Sequence, residues 1–303
     1  MPLLSLPFIA DPMARLFAAV AGGTTPPPEL RFDDIPARSS DVTIPTRHGP
    51  LAATIYRPPA DAVARPPVYV NVHGGGFAVG HPEQDDPWCR YLAAHAKVVV
   101  INPDYALAPR HRFPVAVEQI YDMVAWAASP DRDWDGTRLC VGGQSAGGNL
   151  AAAAARLALE SGGPQIKLQV LHYAPVDLVT RAKHKHTPAG RKAVFQPWMG
   201  DILDAAYIPD PLQRRDRLAS PGWGTNADNI AGIASAVVVT AELDRLRDEA
   251  VHYARKLESA GSLVEHYDVG GVDHGYNILG DSLDITAKMY DVIAGHVVAA
   301  TST

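Results

Sequence analysis

The stretch Val141-Gly142-Gly143-Gln144-Ser145-Ala146-Gly147-Gly148-Asn149 constrains this chain more than any other. An apolar run ends there, a serine stands between small residues, and an alanine-rich stretch begins. Gly143 to Gly147 fits G-x-S-x-G, in which a strand turns so sharply into a helix that the serine backbone is strained and its hydroxyl is pushed outward. Glycine two residues to either side removes the Cβ that would collide with the neighbouring strand and helix. Residues 149–160 (NLAAAAARLALE) join strong helix formers to almost no bulk near the start, which predicts a helix close under a sheet. The N-terminus of such a helix presents free N–H groups and its positive dipole end to the serine.

The rest of the chain supplies that sheet. Residues 41–46 and 51–57 read as short strands around His48-Gly49-Pro50, a hairpin at a sheet edge. Residues 68–72, 97–101, 138–142, 167–171, 236–240 and 263–268 are apolar runs of the length of buried strands. Helical spacing occupies 87–96, 115–128, 246–260 and 282–300, with Val117, Ile120, Val124 and Ala127 on one face of the second. Alternating strands and helices require right-handed crossovers, so the expected fold class is α/β: a mostly parallel, eight-stranded sheet with helices on both faces. Residues 179–220 break the rhythm, being rich in Lys, Arg, His and Pro, with helices expected near 192–199 and 202–207. An insertion of that length in a compact domain is usually functional. Residues 1–30 form a separate helical piece, ended by Thr24-Thr25-Pro26-Pro27-Pro28.

With 303 residues, 47% of them apolar, the chain is long enough for one large domain with insertions. A formal charge of −6 and the lack of any block of like charge argue against nucleic-acid and membrane partners and point to a small molecule. Cys89 and Cys140 imply no disulfide framework. The apolar N-terminus lacks a basic start and carries Pro2, Pro7, Pro12, Asp11 and Arg15, so it reads as an amphipathic helix and not a signal peptide. No stretch approaches the ~18 uncharged apolar residues of a membrane span. The expected compartment is the cytoplasm.

A serine hydroxyl is a poor nucleophile until a base takes its proton, and the base needs an orienting acid. Asp244 and His274 each follow a predicted strand, and in a parallel sheet the carboxyl ends of all strands lie on one edge. Asp248 and Glu249 stand in the first turn of a helix, where carboxylates commonly stabilise the dipole. Asp273 adjoins His274, which makes the required side-chain contact awkward. His95, His172, His252 and His266 sit within predicted elements. His184-Lys185-His186 has no third ligand at a recognisable spacing, so no metal is expected, and the chemistry needs no cofactor. His73-Gly74-Gly75-Gly76 offers bare backbone N–H groups of the kind that can approach a developing negative charge. A phosphate loop is disfavoured there, since neither G-x-G-x-x-G nor G-K-[ST] follows.

With these stretches in hand, the chain resembles the hormone-sensitive-lipase-like family of α/β-hydrolase esterases, which includes bacterial carboxylesterases and arylacetamide deacetylases. The matching segments are His73 to Phe77, Asp104 to Pro109 with Phe113-Pro114, Gly143 to Asn149, Asp244 to Glu249, and Asp273-His274-Gly275. The resemblance implies an α/β-hydrolase fold in which Ser145 is nucleophile, His274 general acid/base and Asp244 its orienting carboxylate. It also implies an oxyanion hole from the N–H groups of Gly75, Gly76 and Ala146, with Gly74 allowing the turn. A helical cap is implied as well, formed by residues 1–45 and 179–220 over a catalytic domain of 46–178 and 221–303. Two departures stand out: Gln144 replaces the usual Asp inside the elbow, and Ala106 and Arg110 replace the usual Arg and Glu around the Leu-Ala-Pro stretch.

The expected function is therefore serine carboxylester hydrolysis through an acyl-enzyme, on short-to-medium-chain esters. Activity is expected to rise as His274 loses its proton, near a histidine's ordinary pKa of roughly 6.5. Phe8, Ile9, Met13, Phe17, Phe195, Trp198, Met199 and Tyr207 either line an acyl pocket or merely pack the cap onto the core. Shorter chains are favoured because no large exposed apolar lid is evident in the sequence. The alternatives are a non-catalytic binding protein on the same fold and an amidase or peptidase with the same triad. The family has both monomers and dimers, so a homodimer through the last helix stays open.

Overall fold

The computed structural model describes every residue except 1, 22–24, 61–62, 186–192, 281 and 303. The chain enters the sheet with an antiparallel hairpin, β1 (Ser39–Thr46) and β2 (Gly49–Tyr56), turning at Arg47-His48. Six further strands follow: β3 (Pro67–Val72), β4 (Val99–Pro103), β5 (Asp135–Gln144), β6 (Ile166–His172), β7 (Ser235–Ala241) and β8 (Leu263–Val269). They lie in the order β1-β2-β4-β3-β5-β6-β7-β8, antiparallel across β1/β2 and β2/β4 and parallel elsewhere. The central strands β3 and β4 are buried throughout, which explains their unbroken apolar runs.

Successive residues of these strands face opposite cores. Val68, Val70 and Val72 join the layer of α3 (Val115–Ala127), α4 (Ala146–Ser161) and α6 (Arg247–Ser259). Tyr69, Val98 and Val100 join the layer of α2 (Asp86–His95) and α8 (Leu283–Thr301). A four-residue helix, α7 (Tyr276–Leu279), follows the last strand. No helix among the described residues is long and apolar enough to cross a membrane.

Two helices lie outside this three-layer plan. α1 (Pro7–Ala21) packs on α5 (Pro197–Tyr207). The insertion thus contains one described helix where two were expected: Pro197, whose φ suits the first helical position, starts it, and Gly200 does not interrupt it. Lys192, the expected start of the first, lies outside the described residues.

The stretch 1–45 serves three structural ends. α1 meets α5; residues 31–35 are pinned beside α2 by Arg90, whose guanidinium donates to the carbonyls of Arg31, Phe32 and Ile35 at 2.6–2.7 Å; and β1 begins at Ser39. The expectation concerned a large apolar lid suited to a lipid interface; the exposed apolar surface on α1 is a few side chains. α1 buries its small residues Ala10 and Ala14 and leaves Phe8, Leu16 and Val20 60–75% exposed, because nearly all its residues are apolar and only one side faces the protein.

Candidate active site

Ser145 stands between β5 and α4 with φ 52° and ψ −122°, a backbone region that L-residues rarely occupy. The turn is held on both sides: its N–H donates to the His172 carbonyl at 2.9 Å, and its own carbonyl accepts from Gly148 and Asn149. A Cβ on Gly147 would lie 1.9 Å from the Val72 carbonyl oxygen, so only bare backbone lets α4 start this close to β3.

The loops after β7 and β8 bring their side chains to the same lip of the sheet. Ser145 Oγ lies 2.9 Å from His274 Nε2, and His274 Nδ1 lies 2.7 Å from Asp244 Oδ2. An ionised carboxylate only accepts, so Nδ1 carries the proton and Nε2 presents its lone pair to the hydroxyl. Asp244 is fully buried, and its other oxygen accepts the Leu246 N–H at 2.9 Å. Burial works against a charge on His274, but Asp244, followed by Asp273 and Glu249, outweighs it and raises the imidazole pKa above 6.5. Tyr173 and Phe195 place rings 4.8 Å and 5.9 Å from the imidazole.

The glycine loop is equally fixed. Gly75 has φ 119°, and a Cβ there would lie 1.8 Å from the Val79 carbonyl oxygen, which excludes any side chain. The Ala78 and Val79 N–H groups close the turn on the Gly75 carbonyl at 3.2 and 2.8 Å. His73 supports it from below: its ring stacks on Tyr105 at 4.3 Å, and burial pushes its pKa down to about 4, so it stays neutral. The N–H groups of Gly75, Gly76 and Ala146 have no acceptor among the described residues.

The other candidate acids and histidines are engaged elsewhere. Glu249 accepts the N–H groups of Val176 and Asp177 and pairs with Lys185 at 2.5 Å. Asp248 pairs with Arg247 at the surface. His172 points its Nε2 at the Tyr276 hydroxyl, and burial drives its pKa down to about 3. Of the insertion histidines, His184 sits in a short 3-10 turn, and His186 lies outside the described residues.

A cavity of about 240 Å³ opens over Ser145 and His274, walled by Gly74, Gly75 and Gly76 below and by Phe17, Val194, Phe195, Met199 and Leu203 above. A second apolar cavity of about 210 Å³ shares Phe17, Met199 and Leu203 with it and continues to Met13 and Trp198. Of the expected lining residues, Phe17, Phe195 and Met199 reach the site. Phe8 faces solvent, Ile9 lines neither cavity, and Tyr207 is buried with its ring stacked on Phe77 at 4.0 Å.

The family described as alpha/beta hydrolase fold matches residues 69–278, and the Mycobacterium tuberculosis protein Esterase LipI is 34% identical over 259 residues, 82% of this chain and 76% of its own length. This chain belongs to the hormone-sensitive-lipase-like carboxylesterases. The Pseudomonas putida Ethyl acetate hydrolase is 34% identical to this carboxylesterase over 83% of the chain and 79% of its own. Among solved structures, a hyperthermophilic esterase from Pyrobaculum calidifontis superposes with a TM-score of 0.78 at 31% identity, covering 99% of this chain and 91% of that one. In this esterase two of the departures from the family pattern, Gln144 and Ala106, have local partners. Gln144 Oε1 sits 2.6 Å from the Tyr173 hydroxyl and 2.5 Å from Asn277 Nδ2, so position 144 needs an oxygen acceptor, which an amide provides as well as a carboxylate. An uncharged acceptor also suits its neighbour Asp85, whose carboxyl burial raises to about 6. Ala106 donates its N–H to the buried Gln119 at 2.9 Å.

Sequence reasoning missed Tyr173. Tyr173 directly follows β6, at the same sheet edge as the other site loops, and that position was its only signal.

Proposed function

We propose that this carboxylesterase hydrolyses short-to-medium-chain esters by acylating Ser145, with His274 as general acid/base and Asp244 as its orienting carboxylate. His274 Nε2 takes the Ser145 proton as Oγ attacks the ester carbonyl. The charge developing on the carbonyl oxygen is met by the N–H groups of Gly75, Gly76 and Ala146, aided by the positive end of α4. The protonated imidazole then passes its proton to the leaving alcohol, and water repeats the sequence to release the acid. The observation that carries this reading is the continuous line from Ser145 Oγ through the imidazole to Asp244, at 2.9 and 2.7 Å. Turnover of p-nitrophenyl esters by the wild type, lost in Ser145→Ala, tests it; near-native turnover by the variant overturns it.

The chain-length assignment rests on the cavity. About 240 Å³ lies below the roughly 300–1,000 Å³ of sites for drug-sized ligands, which fits a small ester. Acetate, butyrate, octanoate and palmitate esters compared on one preparation check it, and an anilide beside them separates esterase from amidase. The cap in this reading comprises α1 and residues 179–220. The buried thiols Cys89 and Cys140 support a cytoplasmic protein. The half-exposed Val264 on edge strand β8 and Val298 on α8 support a homodimer, which sedimentation at several concentrations tests.

A further inference from the structure

We propose that Asp273 is a positioning residue that fastens the cap to the general base, so that the seating of the cap and the orientation of His274 are one event. The inference rests on His274 being that base.

Asp273 is fully buried, and its two oxygens serve different elements. Oδ1 accepts the N–H of His274 at 2.7 Å; Oδ2 accepts the N–H of Val194, in the cap, at 2.9 Å. The next cap residue, Phe195, lays its ring 5.9 Å from the imidazole. Its carbonyl accepts from Arg245 Nε at 3.1 Å, and Arg245 directly follows Asp244 and also donates to the Ala182 carbonyl at 3.2 Å. One short cap segment therefore touches the loops of both the base and its orienting acid. Val194 and Phe195 also wall the cavity over Ser145, so the segment that meets the acyl group is the one that steadies the base.

An aspartate capping only its own loop would bond His274 and stop there. The bond to Val194, 79 residues away, is what such a role does not require.

The charge of Asp273 supplies a readout apart from its geometry. The groups facing His274 are Asp244 from the loop after β7, Asp273 from its own loop, Glu249 of α6 with its partner Lys185, Ser145, the neutral His172 that ends β6 and Tyr173 just after it. The carboxylates stabilise the imidazolium, so removing one lowers the pH at which His274 becomes a base.

The experiment compares kcat, KM and the acid limb of kcat/KM against pH for the full-length wild type, Asp273→Asn and Val194→Pro, with Ser145→Ala as control. Asn keeps the size of Asp but loses the charge and one acceptor. Pro at 194 removes the cap's N–H without changing any charge; it also fixes φ and replaces a side chain that walls the cavity, so Val194→Ala, which keeps the N–H, is run beside it and should retain kcat. Asp273→Asn is expected to lower kcat about tenfold, the scale of one lost hydrogen bond, with KM within about twofold and the acid limb displaced to lower pH. Val194→Pro is expected to lower kcat several-fold with the limb in place, since no charge changes. Wild-type kcat in both variants overturns the proposal, as does an Asp273→Asn enzyme whose limb stays put while melting temperature and kcat fall together. If Asp273→Asn does not fold, Val194→Pro decides alone: wild-type kcat refutes the coupling, reduced kcat at unchanged KM supports it. An inactive Ser145→Ala beside an unaffected Asp273→Asn removes this inference and spares the triad; an active Ser145→Ala removes both.

Discussion

Beneath the cavity, backbone holds the site together. Ser145 keeps a strained φ of 52° between strand and helix, Gly147 abuts the Val72 carbonyl, and Gly75 abuts that of Val79. Above the cavity, side chains hold it: Arg112 reaches Asp11 of α1 at 2.6 Å, Arg181 grips Asp201 of α5 through both oxygens, and Lys185 pairs with Glu249 in the interior. A floor built of main chain admits almost no substitution and fixes the chemistry. A cap tied by replaceable side chains can change what lines the cavity without altering that main-chain floor.

The contrast is tested first where the effect is largest. Ser145→Ala should lower kcat on the order of 10⁶-fold with KM little changed, and Asp244→Asn on the order of 10⁴-fold, both read from steady-state hydrolysis of p-nitrophenyl butyrate. If the cap is secured as described, Lys185→Met should cost about 1–3 kcal/mol in urea unfolding by leaving one oxygen of the buried Glu249 carboxyl, which burial already raises to about 7, without its partner, and Lys185→Met with Glu249→Met should recover part of it. A single mutant as stable as the wild type would show that the cap does not depend on that pair. The pH dependence belongs to the floor. The carboxylates raise His274 above 6.5, and the imidazolium must lose its proton before Nε2 can accept one, so kcat/KM should climb at a pH above 6.5. That is higher than the histidine's ordinary value suggested, and a rise completed below pH 6 would break the assignment. The smallest effect is in the cap: Met199→Ala should join the two apolar cavities and shift the octanoate-to-butyrate ratio upward by about fourfold per methylene newly accommodated.

The floor was legible in the sequence because its requirements fall on adjacent residues. Gly143 to Gly147 must be small around one serine, and His73 to Gly76 must be bare at the end of a strand. Asp244 and His274 were singled out by the rule that parallel strands end on one edge, and the structure brings both beside Ser145. The cap was less legible because its contacts join distant residues chosen for reach and charge. Nothing local to Asp273 announces Val194, and nothing in Phe32 or Ile35 announces that Arg90 will draw their segment toward α2. Tyr207 stayed undecided for a similar reason: an aromatic ring in an insertion can line a pocket or pack, and only its stacking on Phe77 shows that it packs.

Three side chains line both apolar cavities, those of Phe17, Leu203 and the unbranched thioether Met199. Methionine changes rotamer at little cost, so this wall yields where a branched or ring-bearing one would stand. Selectivity across a homologous series should consequently slope and not step, each added carbon prising the thioether a little further aside before refusal sets in.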